Sequence, residues 1–151
     1  MRRKKIKVVI GLPRYERLDA VVPKLRTMYD VETISDSEEA YHTIHVFKPD
    51  VAVLDFALSK IHPIELYEGI ALAHPYVNFI LCGTEDNFQI AQRVWKQRAC
   101  DFIYKPFTPD QFVANINRIV RNIINVKEIE QLKQYIGELE AKLAGPQGSA
   151  T

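Results

Sequence analysis

Along the first 120 residues, short β-branched and apolar runs alternate with longer stretches in which apolar positions return every three or four residues. The short runs are Lys5 to Ile10 (KIKVVI), Val31 to Ile34 (VETI), Val51 to Asp55 (VAVLD), Val77 to Cys82 (VNFILC) and Asp101 to Tyr104 (DFIY). They are predicted to be five strands. The stretches between them, about Tyr15 to Tyr29, Ser37 to Phe47, Pro63 to His74, Asn87 to Arg98 and Pro109 onward, are predicted to be helices. Strict strand-helix alternation predicts an α/β domain with a mostly parallel sheet. The third run is apolar up to its last residue, as a central strand buried on both faces requires.

Local start signals agree with this pattern. Asp36 or Ser35 can cap the second helix, whose first turn carries Glu38 and Glu39 at the positive end of the dipole. Thr108 followed by Pro109 gives the fifth helix a cap and a proline at its first position.

A helix that only covered the sheet would end near Asn122, yet the pattern continues without Gly or Pro to Ile136. Its apolar positions include Phe112, Ile116, Ile119, Ile123, Val126, Ile129, Leu132, Ile136, Leu139 and Leu143, in steps of three and four as in a heptad seam. Consecutive threes at Val126, Ile129 and Leu132 shift the register like a stammer. The chain therefore divides into a domain over residues 1–122, a coiled-coil extension over 123–143 and a tail over 144–151. Gly145 and Pro146 are expected to stop the helix near Ala144. The seam is expected to form a parallel homodimer through Ile123, Val126, Ile129, Leu132, Ile136, Leu139 and Leu143, because five exposed apolar layers are costly to leave unpaired.

Composition narrows the classes. Apolar residues make up 47% and charged residues 26% of 151, with a formal net charge of +1, which fits neither disorder nor a broad nucleic-acid-binding surface. The basic start, with Arg2, Arg3, Lys4, Lys5 and Lys7, is read as a solvated, edge-protecting lead-in to the first strand. Cys82 and Cys100 lie in apolar stretches without disulfide or metal spacing, and no segment is apolar enough to span a membrane. The expectation is a cytoplasmic protein with no membrane or nucleic-acid partner. His42, His45, His62 and His74 are scattered, with shared-face spacing only between His42 and His45, and give no metal site.

In an open parallel sheet, function gathers where the strands end at their C-terminal tips. The third strand ends in Asp55, the fourth in Cys82-Gly83-Thr84 and the fifth in Tyr104-Lys105-Pro106. Taken singly, Asp55 reads as a turn or cap, Thr84 as an N-cap before Glu85-Asp86, and Lys105 as a surface charge. Taken together, an acid, a hydroxyl and an ammonium at neighbouring strand tips form a constellation.

These segments carry a family resemblance. Lys48-Pro49-Asp50-Val51-Ala52-Val53-Leu54-Asp55 resembles the phosphoacceptor strand of two-component response-regulator receiver domains. Leu81-Cys82-Gly83-Thr84 resembles their switch-hydroxyl strand, and Asp101-Phe102-Ile103-Tyr104-Lys105-Pro106-Phe107 their closing lysine-proline strand. The resemblance covers roughly residues 5 to 122 and implies a doubly wound, flavodoxin-like (βα)5 fold. It implies Asp55 as phosphoacceptor, Thr84 as switch hydroxyl, Phe102 as switch aromatic, Lys105 as partner of the acyl phosphate, and a cis Lys105–Pro106 bond. It also implies a histidine kinase upstream, an output domain downstream, and no enzymatic activity in the domain itself.

One part of the pattern is missing. Receivers carry an acidic pair after the first strand, and the matching positions here are Gly11 and Leu12. Asp55 alone is a poor Mg²⁺ site, because a small hard cation needs several oxygen ligands. Glu16 is a substitute to test, Asp19 lies too far along the helix, and Arg14 could place a cation near Asp55. The expectation is an atypical receiver in which phosphorylation is slow or absent. The rival readings are a phosphorylation-independent dimerising adaptor and a flavodoxin-like small-ligand-binding protein. The second rival lacks a glycine-rich phosphate loop, since Gly11-Leu12-Pro13-Arg14 holds a single glycine.

Overall fold

The computed structural model describes residues 5–13, 18–58, 60–94 and 99–149. Strands β1 (Lys7–Gly11), β2 (Asp30–Ile34), β3 (Val51–Asp55), β4 (Asn78–Gly83) and β5 (Ala99–Tyr104) alternate with helices α1 (Leu18–Arg26), α2 (Ser37–Phe47), α3 (Pro63–Ala73), α4 (Glu85–Val94) and α5 (Pro109–Ser149). All four strand pairings are parallel, in the order β2-β1-β3-β4-β5. This is the doubly wound α/β fold expected from the alternation. The strand order reverses direction at β1, so right-handed crossovers put α1 on one face and α2, α3 and α4 on the other.

Burial follows the pleat. Val9, Ala52, Leu54, Phe79, Leu81 and Phe102 join Ala40 and Ile44 of α2, Leu66, Tyr67 and Ile70 of α3 and Ala91 of α4 in one apolar cluster. Within it the Tyr67 and Phe79 rings meet edge to face at 4.8 Å. The alternate strand residues Val8, Ile10, Val53, Ile80, Cys82 and Ile103 are also buried and face the opposite side. Val21 and Leu25 of α1 and Phe112 and Ile116 of α5 are buried as well.

Polar groups fix the sheet at its N-terminal edge. Asp50, just before β3, accepts the Lys7 amide at its Oδ2 (2.9 Å) and donates its own amide to the Lys7 carbonyl (2.9 Å). The Asp50 carbonyl in turn accepts the Asn78 backbone amide (3.0 Å) and the Asn78 Nδ2 (3.1 Å). One residue thereby links β1, β3 and β4.

The cap reading of Asp36 holds. Its side chain accepts the Glu39 amide at 3.0 Å, while Lys48 closes α2 in the left-handed region at φ 54°. Helix α4 begins at Glu85, two residues before the position expected at Asn87, because Thr84 rather than a later residue supplies the cap. The expected starts of α1 at Tyr15 and ends of α4 at Arg98, together with Arg14, Glu16 and the basic residues Arg2, Arg3 and Lys4, lie outside the described residues.

Two compact units are distinguished, residues 1–116 and 117–151. Helix α5 continues to Ser149, past the stop expected at Ala144. Gly145 and Pro146 fall within its final turns, and Pro146, which has no amide hydrogen, leaves the Lys142 carbonyl without its helical donor. Among the described residues no helix is long and apolar enough to cross a membrane.

Candidate functional site

The β3 tip lies beside the point where the strand order reverses, the place where open parallel sheets hold their ligands. Register builds the site. Asp55 pairs with Cys82 of β4, and the Gly11–Leu54 pairing continued by one residue places Leu12 on the other flank of Asp55. Both flanking side chains are buried. The Asp55 carboxylate is itself 1% exposed.

A buried carboxylate needs hydrogen bonds and a counter-charge. Asp55 Oδ1 accepts the Ala57 amide at 2.7 Å, within the turn that follows β3. Lys105 Nζ lies 2.6 Å from Oδ2, with the lysine side chain 19% exposed. Lys105 is delivered to the tip by β5, whose ladder continues through the Lys105 amide to the Gly83 carbonyl at 2.8 Å. The Lys105–Pro106 peptide is cis, as expected. The structure thus brings together Asp55 and Lys105 of the expected set.

Thr84 is placed differently. It is exposed, donates its hydroxyl to Asn87 Oδ1 (3.1 Å) and accepts the Asn87 amide (3.4 Å), an N-cap arrangement for α4. A Cβ at Gly83 would come within 2.5 Å of the same Asn87 Oδ1. Phe102 is buried, with ring contacts to Phe56 (6.2 Å), Phe88 (5.3 Å) and Tyr104 (5.1 Å). Tyr104 is 45% exposed at the edge of this aromatic group. Partial desolvation, with the Glu85 carboxylate second, raises its hydroxyl above the ordinary value of 10.0.

The fold family implies a divalent metal at this tip, and the residues present can be tested against it. Octahedral Mg²⁺ requires oxygen ligands that converge, usually with more than one carboxylate. The Asp55 oxygens are engaged by Ala57 and Lys105, Leu12 offers no donor, and a Cβ at Gly11 would meet Ile34 and Leu58 at 3.0 Å. No group of three or more His, Cys, Asp or Glu side chains able to hold a metal occurs among the described residues. The described side chains do not fit Mg²⁺. Asp19 is exposed on α1.

The seam of α5 is open. Ile123 is half-buried, while Val126, Ile129, Leu132, Ile136, Leu139 and Leu143 are exposed, from 41% at Leu139 to 78% at Leu143. Tyr135 is also exposed beside it.

Comparison with known proteins decides the family. The family model of the response regulator receiver domain matches residues 16–117. The chain belongs to this family. It is 31% identical over 108 residues to the nitrogen assimilation regulatory protein NtrX of Azorhizobium caulinodans, which covers 70% of this chain and 24% of that protein. To the alkaline phosphatase synthesis transcriptional regulatory protein PhoP of Bacillus subtilis it is 31% identical over 96 residues, covering 64% of this chain and 40% of PhoP. The receiver thus spans a quarter to two fifths of the length of these relatives. Among solved structures, NtrX from Brucella abortus superposes with a TM-score of 0.72 at 22% identity, covering 84% of this chain and 30% of that one. The chemotaxis response regulator CheY4 of Vibrio cholerae gives 0.66 at 20% identity, covering 77% and 99%. Both likenesses establish the fold of the receiver.

Sequence reasoning missed two participants. Cys82 becomes the register partner of Asp55 only once the strands are aligned, and counting β3 against β4 would have found it. Asn87, which takes up the Thr84 hydroxyl, was visible as an amide three residues after a threonine.

Proposed function

We propose that this chain is the receiver module of a two-component signalling protein that works chiefly through assembly of two copies, with little or no Mg²⁺-dependent phosphorylation of Asp55. The observation that carries this reading is the setting of Asp55: a buried leucine stands where a second carboxylate would be needed, and the lysine ammonium already neutralises the acid. Phosphoryl transfer to a carboxylate requires cations and donors around the equatorial oxygens. Lys105 supplies one such charge, and Thr84 is committed to a helix cap.

The parallel homodimer is supported by the exposed seam on α5. Burying those layers against a second copy removes a contiguous apolar surface from water, and interspersed charges such as Glu128, Glu130, Lys133 and Lys142 suit a coiled-coil flank. In this reading the chain is cytoplasmic, carries no catalytic activity, and passes its state along α5 to an output domain or partner. A histidine kinase is the upstream partner if phosphorylation survives.

Intact-mass spectrometry after incubation with acetyl phosphate and Mg²⁺ tests the proposal, with Asp55→Asn as control. No adduct is expected under conditions that modify a receiver with a complete acidic pair. A single labile phosphoryl adduct on the wild type, absent from the variant, would make this a phosphorylation switch and defeat the proposal.

A further inference from the structure

At the end of the sheet opposite Asp55, two histidines meet across a helix pair. His45 lies in the last turn of α2 and His74 caps the C-terminus of α3. Their ring centroids are 5.6 Å apart with planes inclined at 58°. The sequence spacing suggested His42 and His45 as neighbours, but the fold brings His74, from a different helix, to His45.

We propose that His45 and His74 form a two-imidazole site for a borderline divalent transition-metal ion such as Zn²⁺ or Ni²⁺. Three features carry this. The first is distance. With metal–nitrogen bonds of about 2.1 Å and a tetrahedral angle, two ligating imidazoles place their centroids about 5 Å apart. The observed 5.6 Å reaches that value by small side-chain adjustment.

The second is orientation. The Tyr76 hydroxyl lies 3.2 Å from His74 Nδ1, leaving Nε2 as the nitrogen to bind metal. A ligating imidazole is held in this way by a partner at its other nitrogen, which fixes tautomer and ring direction. The third is rigidity with access. His74 is fixed by its own amide, which donates to the Ile70 carbonyl at 2.7 Å, and by the Val77 amide, which donates to the His74 carbonyl at 3.2 Å. His45 is exposed and His74 half-exposed, so an ion reaches both from solvent. Imidazole nitrogens select Zn²⁺, Ni²⁺ or Cu²⁺ over Mg²⁺ or Ca²⁺. Water fills the remaining positions, and the bound ion ties the end of α2 to the end of α3.

The test is Ni²⁺ titration of the full chain followed by NMR of its four histidine rings. His45 and His74 should broaden together at the lowest Ni²⁺, with His42 and His62 remaining sharp. Calorimetry with Zn²⁺ should give one ion per chain. His45→Gln and His74→Gln should each weaken binding more than tenfold, Tyr76→Phe about tenfold, and His42→Gln not at all. Joint broadening of His42 and His45 with His74 sharp would overturn the proposal in favour of a single-helix site. Uniform broadening of all four rings, or affinity unchanged in both glutamine variants, would reduce it to an adventitious ion only.

Discussion

The Lys105 ammonium lies 2.6 Å from Oδ2 of Asp55, a carboxylate that is 1% exposed at the tip of β3. The pair therefore acts as a structural unit as well as a chemical one. Removing the cation takes the counter-charge away from a buried carboxylate. Lys105→Met should cost about 3 kcal/mol, the usual scale for breaking a buried pair from one side, as read by urea denaturation. Asp55→Asn, which keeps an acceptor for the Ala57 amide, should cost less. An equal or larger loss for Asp55→Asn would show that Lys105 does not compensate the acid.

The apolar flank of the site predicts its response to metal. The melting temperature of the wild type should not change with millimolar Mg²⁺. Leu12→Asp places a second carboxylate beside Asp55 and should lower the melting temperature without metal and recover part of the loss with Mg²⁺. Calorimetric scans of both proteins with and without Mg²⁺ check this, and a wild-type rise with Mg²⁺ would contradict it.

Gly11 is tightly packed against the side chains of Ile34 and Leu58. A Cβ there meets Ile34 and Leu58 at 3.0 Å, so Gly11→Ala should destabilise by about 1–3 kcal/mol through overpacking. The shift in denaturation midpoint at unchanged slope is the measurement.

On α5, Ile129→Glu combined with Leu132→Glu puts charges into the exposed seam without touching the sheet. Light scattering after size exclusion should change from dimer to monomer, while the circular dichroism of the α/β domain persists. A wild-type monomer at high concentration would remove the assembly half of the proposed function.

At the start of α2, the hydrogen bond from the Glu39 amide is the largest influence on the Asp36 carboxyl; desolvation opposes it, and the Lys60 ammonium adds to it, so that the carboxyl is held below its ordinary value of 3.8. A depressed folded value means that this contribution is fully present above pH 3.8 and is lost as pH falls through the folded value. Asp36→Asn should match the wild type more closely in acid than at neutral pH. Stability curves of the two proteins above and below pH 3.8 should converge on acidification.

The fold was legible because its signals are local. Strand-helix alternation and the Asp36 cap lie within short windows, and α2 and β3 fall where the pattern put them. The tip of the site was half legible. Asp55 and Lys105 could be named from the ends of their strands, but the neighbours of Asp55 depend on inter-strand register, which no single segment contains. Thr84 shows the same limit: its hydroxyl is bonded to Asn87 at the start of α4, a cap the sequence offered as one of its readings. The end of α5 went the other way, since Gly145 and Pro146 are strong stop signals that a terminal helical turn accommodates.

Asp50 carries a consequence for how the sheet finds its alignment. Every residue of β3 is buried, and most of β1 and β4 with it. Strands that are apolar on both faces lack the in-out alternation that penalises a one-residue slip. Their phase must be written at the ends, and the bonds of Asp50 to Lys7 and Asn78 write it across three strands at once. The residue serves as an index mark. Without it the sheet would keep its hydrophobic drive to collapse but lose part of the information that selects one alignment, a failure that surfaces as several coexisting native-like forms instead of an unfolded chain.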